Sequence, residues 1–285
     1  MAEISALMVK DLRDKTGAGM ADCKKALVEA DGDITIAIEV LRKRGAASAA
    51  KRADKIANEG MIVAVSKNDN KNAVMVEVNC ETDFVARNQE FDDFVSIVAN
   101  ALLNNNITNV DELMKVSVDG DSVEGLYNSI LSKFSEKIEI RKFEHWTSEG
   151  FISTYIHAGN KLAVLLDVAI TNVNDKAVAS IRDIAMQIAA MNPQFIDRSQ
   201  VDQTTLDKEV EIYKQQAIDS GKKPDIAEKI AQGKLDKFFT ENCLIEQAFV
   251  KDGSISVNDV IKQISELTGS EVKINRFARY ALGES

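Results

Sequence analysis

Ala73-Val74-Met75-Val76-Glu77-Val78 returns ninety residues later as Ala163-Val164-Leu165-Leu166-Asp167-Val168. The match extends in both directions without a gap. Upstream, Glu59-Gly60-Met61-Ile62 returns as Glu149-Gly150-Phe151-Ile152, and Asn70-Lys71 as Asn160-Lys161. Downstream, Phe91, Phe94, Val98 and Ala99 return as Ile181, Ile184, Ile188 and Ala189. Each copy reads as an alternating hairpin, turned at Asp69-Asn70 in the first, followed by a helix with one apolar face. Asn88 caps the first of these helices, which carries Phe91, Phe94, Val95 and Val98. The second starts at Asp175 and carries Ile181, Ile184, Ala185 and Ile188.

Both copies also close alike. Ser122-Val123 through Ile138, Ile140, Phe143 and Trp146 matches Ser256-Val257 through Val272, Ile274, Phe277 and Tyr280, now 134 residues apart. The larger offset means that the second copy holds an insertion of about 44 residues, which falls at about 200–241. Leu206, Val210, Tyr213 and Ala217 form one helical stripe there. Ser220-Gly221-Lys222-Lys223-Pro224 is a turn, and Ile226, Ile230 and Phe238 lie on a returning helix. An isolated helical hairpin is marginal in water, so this one is expected to pack on a partner or on a second copy of itself.

Ahead of the repeat, residues 4–45 read as a three-helix module. Met8, Val9 and Leu12, then Met20, Cys23, Ala26 and Leu27, follow helical spacing, with Met8, Met20 and Leu27 expected in its core. Thr16-Gly17-Ala18-Gly19 breaks the first helix from the second. Asp31-Gly32-Asp33 caps a third, carrying Ile34, Ile38 and Leu41 and closed by Gly45. The Ala- and Lys-rich stretch from Ala46 to Ala57 is a helical connector. The expected fold is therefore α+β. A three-helix domain with its connector (1–55) precedes two related subdomains with antiparallel sheets, 56–146 and 147–285, the second bearing the inserted helical hairpin.

Composition narrows the function. The chain has 285 residues, 45% of them hydrophobic, enough for two or three cores. It has no run of 18 apolar residues and no basic-apolar leader, so a cytoplasmic protein that neither spans a membrane nor is secreted is expected. Three well-separated cysteines, Cys23, Cys80 and Cys243, make neither a disulfide framework nor a zinc site. A net charge of −10 argues against direct nucleic-acid binding. The charge is uneven. Residues 1–55 hold 11 Lys and Arg against 9 Asp and Glu, and the remainder 24 against 36. Such a field can steer a protein partner.

Enzymatic signals are missing from the sequence. His145 and His157 are the only histidines, and neither has a Cys, Asp or Glu at useful spacing for a metal or a nucleophile. No G-x-x-x-x-G-K-[ST] occurs, and Gly17-Ala18-Gly19 joins two helices rather than a strand and a helix. His145, beside Trp146, reads as a structural strand residue. No cofactor is expected.

The repeat fails in one place. Cys80-Glu81-Thr82-Asp83-Phe84-Val85 stands opposite Ile170-Thr171-Asn172-Val173-Asn174-Asp175. Two copies of one unit share what packing requires, so an acid beside a large aromatic at the point of departure is a candidate for function. The plainer reading of Phe84 is a core aromatic at a strand-to-helix junction. The second copy closes that junction with Asn172 and Asn174 around Val173, so the fold does not need an aromatic there. Asp83 also suits a helix N-terminus.

The stretch from Val9 through Lys10-Asp11-Leu12-Arg13-Asp14-Lys15-Thr16-Gly17-Ala18-Gly19-Met20 to Leu27 resembles the amino-terminal signature of translation elongation factor Ts. Glu77 to Ala86, centred on Thr82-Asp83-Phe84-Val85, resembles its second signature. Tyr155-Ile156-His157 with Gly159, and Gln247-Ala248-Phe249-Val250, resemble later landmarks of that family. The resemblance implies a ubiquitin-associated-like first domain and two related core subdomains with a helical hairpin in the second. It also implies guanine-nucleotide exchange on elongation factor Tu, in its GDP-bound and nucleotide-free states, without covalent chemistry. Asp83 and Phe84 would disturb the partner's Mg²⁺ and phosphate site, with Thr82 and Val85 in the same motif. Lys10, Arg13, Lys24 and Lys25 would dock on the partner, and His157 would touch it. For those basic residues a solvated face is the alternative, and for His157 a strand-edge position. A homodimer through the hairpin is a further expectation. Residues 1–45 alone would equally suit an adaptor or nascent-chain binding module, and the duplicated core with Thr82 to Val85 separates the two.

Overall fold

The structure, a computed structural model, describes residues 4–67 and 69–284. Ser5 starts helix α1 (Ala6–Thr16) by accepting the Met8 amide at 3.3 Å. Helices α2 (Met20–Glu29) and α3 (Ile34–Lys51) follow, and the Asp33 carboxylate accepts the Ile36 amide at 3.0 Å. Val9, Leu12, Cys23, Ala26, Leu27, Ala37 and Leu41 form the small core of these helices, with Met8 half-buried against it. Met20 departs from expectation. It opens α2 and is 45% exposed. Gly45 departs as well, because α3 runs through it to Lys51.

The first copy begins with the antiparallel hairpin of β1 (Glu59–Ser66) and β2 (Asn72–Cys80). A short helix α4 (Asp83–Ala86), helix α5 (Gln89–Asn104) and helix α6 (Val110–Met114) come next. A two-stranded ribbon of β3 (Ser117–Val118) and β4 (Asp121–Ser122) leads into α7 (Val123–Phe134) and β5 (Ile138–Thr147). The sheet order is β1-β2-β5, all antiparallel. Val74, Val76 and Val78 face Phe91, Phe94, Val98 and Leu102 of α5 in one core. Here Gly45 finds its reason. A Cβ on it would lie 2.7 Å from the Ser132 nitrogen and 2.8 Å from its Cα on α7. The glycine serves a close helix crossing, not a helix end.

The second copy repeats the plan with β6 (Phe151–Ile156), β7 (Leu162–Ala169) and α8 (Asp175–Met191). The inserted hairpin of α9 (Gln203–Asp219) and α10 (Pro224–Asn242) follows. A ribbon of β8 (Ala248–Phe249) and β9 (Asp252–Ser256), helix α11 (Val257–Thr268) and strand β10 (Lys273–Ala281) complete the copy. Sheet order β6-β7-β10 reproduces the first. The register is conserved between copies too. Met61 pairs with Val78 as Phe151 pairs with Val168, and Ala73 with Trp146 as Ala163 with Tyr280. Both closing strands bulge at the same step, skipping Arg141 and Asn275.

The two sheets meet on the faces turned away from their helices. Ile62, Ala73, Met75 and Trp146 pack against Ile152, Ala163, Leu165 and Tyr280, the same four positions from each copy. The Asn160 carbonyl accepts the Ile62 amide and the Asn70 carbonyl accepts the Ile152 amide, both at 2.7 Å. Lys142 lies over the Tyr280 ring at 4.5 Å, and Arg276 over Trp146 at 4.3 Å. These exchanged contacts describe an approximate two-fold relation. A central strand buried on both faces explains why Ala73 to Val78 is almost wholly apolar.

The hairpin joins the second copy through adjacent chain ends, since the Leu244 amide donates to the Phe195 carbonyl at 2.9 Å and Phe195 donates to Asn242 at 3.1 Å. Val201, Phe238, Phe239 and Cys243 are buried at its base, with Leu206, Tyr213 and Leu235 packed on them. Further out, Ala217, Ala227 and Ala231 are buried, while Ile226, on the returning helix as expected, is exposed.

Candidate functional site

Strand β2 ends at Cys80, and the chain turns sharply at Glu81-Thr82. Thr82 is extended (φ −125°, ψ 152°) and caps α4, its hydroxyl accepting the Val85 amide at 3.5 Å. Successive residues of a helix are about 100° apart, so this one turn can bury one residue and leave its neighbour exposed. Val85 is buried in the first-copy core, 6% exposed, whereas Phe84 is 84% exposed, the largest exposure of any large apolar side chain among the described residues. A core role for Phe84 is thereby excluded. Asp83 is half-buried and pairs with Arg87 at 3.2 Å. That pair lies in solvent and contributes little to stability.

Two carboxylates grip the backbone beneath the turn. Glu136 accepts the Thr82 amide at 3.1 Å with one oxygen and the Thr82 hydroxyl at 2.8 Å with the other. Glu81 accepts Nε and Nη2 of Arg52 at 2.7 and 2.5 Å, and the Lys137 amide at 2.6 Å. The Arg52 fork, followed by the Lys137 amide, holds the Glu81 carboxyl down to about 2 against the opposing pull of burial. Cys80 donates its thiol to the Thr82 carbonyl at 3.2 Å. Burial first, then the Glu136 charge, pushes that thiol up to about 12, so it is no nucleophile. Cys23 and Cys243 are also free and buried.

The same junction in the second copy is built differently. Asn174 caps α8 by accepting the Ala177 amide at 2.9 Å, the helix starts directly at Asp175, and Val173 is partly exposed. Ser270 stands where the first copy has Glu136, and Thr171 where it has Glu81.

The other expected positions lie apart from the turn in the sequence and on other elements. Lys10 and Arg13 are exposed on α1, and Lys24 and Lys25 on α2. His157 is exposed just past β6, its Nδ1 3.0 Å from the Tyr155 hydroxyl, beside a crevice of about 400 Å³ lined by Leu162, Met186 and Val250. His145 bonds Asn72 at 2.9 Å, and burial lowers its pKa, which keeps it a neutral strand residue. Arg52 and Glu136 were not among the expected residues. The 134-residue offset carries the signal for Glu136, because it sets that acid against Ser270 at a second break in the repeat.

Among the described residues no group of His, Cys, Asp and Glu is placed to hold a metal ion, and no helix is long and apolar enough to cross a membrane. A family model described as Elongation factor TS matches residues 81–284. The chain is similar to curated proteins named Elongation factor Ts. That of Chloroherpeton thalassium is 47% identical over 100% of both chains. Those of Clostridium kluyveri and Clostridium perfringens are 45% and 42% identical, each match covering 99% of this chain and 93% of the relative. With a family model over most of its length and relatives matched from end to end, the chain belongs to the elongation factor Ts family of translation elongation factors.

Proposed function

We propose that the chain is a guanine-nucleotide exchange factor for elongation factor Tu, working in the cytoplasm without covalent chemistry. The observation that carries this reading is Phe84, an aromatic projected into solvent from a clamped turn, at a junction the second copy closes without one. Its burial against a partner is worth about 1.5–3 kcal/mol. In this reading Phe84 wedges between helices of the partner's nucleotide-binding domain, and Asp83 approaches the region of the partner's Mg²⁺. Magnesium bridges phosphate oxygens of the bound nucleotide to protein, so disturbing its coordination weakens the hold on GDP. A displaced phosphate loop no longer aims its amides at the phosphates.

By reciprocity, a factor that binds nucleotide-free elongation factor Tu more tightly than the GDP form loosens GDP by the same ratio. It speeds release and rebinding in both directions, and the cellular nucleotide ratio sets the outcome. Lys10, Arg13, Lys24 and Lys25 on the amino-terminal module, and His157 on the second copy, supply further docking contacts. Domain boundaries at 1–55, 56–146 and 147–285 fit this division of labour. The hairpin, with exposed Ile212, Ile218 and Ile226, is the candidate surface for self-association.

The test is release of a fluorescent GDP from purified elongation factor Tu. The chain should accelerate release, and Phe84→Ala should lower the rate about tenfold or more, the equivalent of losing about 1.4 kcal/mol or more of contact. No acceleration by the unaltered chain sinks the proposal.

A further inference from the structure

Phe84 acts as a wedge only if its backbone is already fixed, because every rotatable bond frozen on binding subtracts from affinity. Phe84 itself is 84% exposed, so its fixation has to come from the residues beneath. Three side chains supply it. Glu136 takes both the amide and the hydroxyl of Thr82. Glu81, immediately before Thr82, is held by the two-point fork of Arg52 and by the Lys137 amide. Ser135 ends α7 in the left-handed conformation (φ 53°), and the Glu136-Lys137 pair follows directly.

Arg52 also ties distant parts together. It follows the last residue of α3, and the Lys137 ammonium accompanies it by donating to the Ala53 carbonyl at 2.8 Å. The end of the amino-terminal module is therefore fastened to the residue that precedes Thr82. The fold does not require this arrangement, since the second copy closes the same junction with Thr171, Asn172 and Ser270. The Glu81 side chain is only 13% exposed while Arg52 is 37% exposed, so the strength of the fork lies in its two-point, charge-assisted geometry rather than in exclusion of water.

We propose that Glu136, Glu81 and Arg52 are positioning residues for Asp83 and Phe84, and that Arg52 couples the amino-terminal module to the exchange turn. This rests on the exchange function proposed above. Glu136→Ala frees both Thr82 groups, and Glu136→Gln keeps a single acceptor oxygen, so the expected order of activity is unaltered chain, then Gln, then Ala.

The experiment measures GDP release from elongation factor Tu over a range of factor concentrations, with thermal unfolding followed in parallel. Glu136→Ala and Arg52→Ala should each lower the maximal release rate about tenfold, as loss of a charge-assisted hydrogen bond implies. Each effect should vanish in a background that carries both Asp83→Ala and Phe84→Ala, because a positioning group then has nothing left to position. A purely structural role gives additive losses there, with a matching fall in Tm, and overturns the proposal. If Glu136→Ala fails to fold, Glu136→Gln and Arg52→Ala decide the matter. No acceleration by the unaltered chain sinks the underlying function, and full exchange by Phe84→Ala sinks the wedge. Impaired Phe84→Ala beside fully active Glu136→Ala and Arg52→Ala sinks only the positioning role.

Discussion

Phe84 and Val85 are neighbours in the chain and opposites in the fold, which makes them a direct test of the turn. Phe84→Ala should leave stability within about 0.5 kcal/mol, as exposed substitutions do. Phe91→Ala, at a fully buried aromatic on α5, should cost about 3–5 kcal/mol. Thermal unfolding of the two variants checks this, and a large loss for Phe84→Ala contradicts the exposed placement. Glu81 provides a pH test. Its folded pKa, about 2, lies below the ordinary carboxylate value near 4.3, so the fold stabilises the ionised form. That contribution is complete above the ordinary value and is lost as pH falls toward 2. The Tm gap between the unaltered chain and Glu81→Gln should therefore be widest above about pH 5 and close toward pH 2. A gap independent of pH contradicts the Arg52 fork. Phe84, the exposed residue of this candidate site, was legible in the sequence because the repeat breaks at Thr82-Asp83-Phe84. Arg52 was not, since it acts across 29 positions of chain and belongs to no repeated unit.

Gly45 shows how an element can be misjudged from a single residue. A glycine after an apolar stripe ordinarily signals a helix end, yet this one marks where α3 crosses α7. The two meanings predict opposite signs for Gly45→Ala. In an exposed helix interior that change stabilises by about 1 kcal/mol. Here the added methyl meets Ser132 backbone, and overpacking should destabilise by about 1–3 kcal/mol. Urea unfolding decides the sign. The hairpin of α9 and α10 was readable at the same scale, since the difference between two offsets located it without any helix propensity. On the returning helix the buried positions include the small residues Ala227 and Ala231, while Ile226 is exposed. The Phe195 and Asn242 backbones meet at its base, so replacing Gln203–Thr240 with a short Gly-Ser turn should leave the remaining fold intact. Light scattering on the intact and shortened chains tests self-association through the arm. A monomer in both cases removes that role.

At the scale of the whole molecule the repeat foretold two similar units but not how they face each other. Glu77 and Asp167 are acids within the two apolar central strands, and both are buried on the inter-copy side of their sheets. Asp167 is satisfied by Ser148 at 2.6 Å and Arg276 at 3.0 Å, and Glu77 accepts the Gly283 amide from the second copy at 3.1 Å. Acids in the middle of an apolar strand are what a period-two pattern cannot place when both faces are covered. The consequence is cooperativity. Ile62, Met75 and Trp146 would lie open to water if either copy unfolded alone, and the paired bonds of Ile62 and Ile152 would be lost together. The two copies should therefore unfold as one unit. Ile181, fully buried under the second sheet and remote from the inter-copy cluster, offers the test. Ile181→Ala should cost about 2–5 kcal/mol. If the copies are one cooperative unit, hydrogen exchange at the slowest amides of β1–β2 should quicken by the same factor as in β6–β7, about 30-fold or more. Undiminished protection in β1–β2, beside a fall confined to β6–β7, would mean that the first copy stands without the second, and that the shared face is an interface between two independent folds.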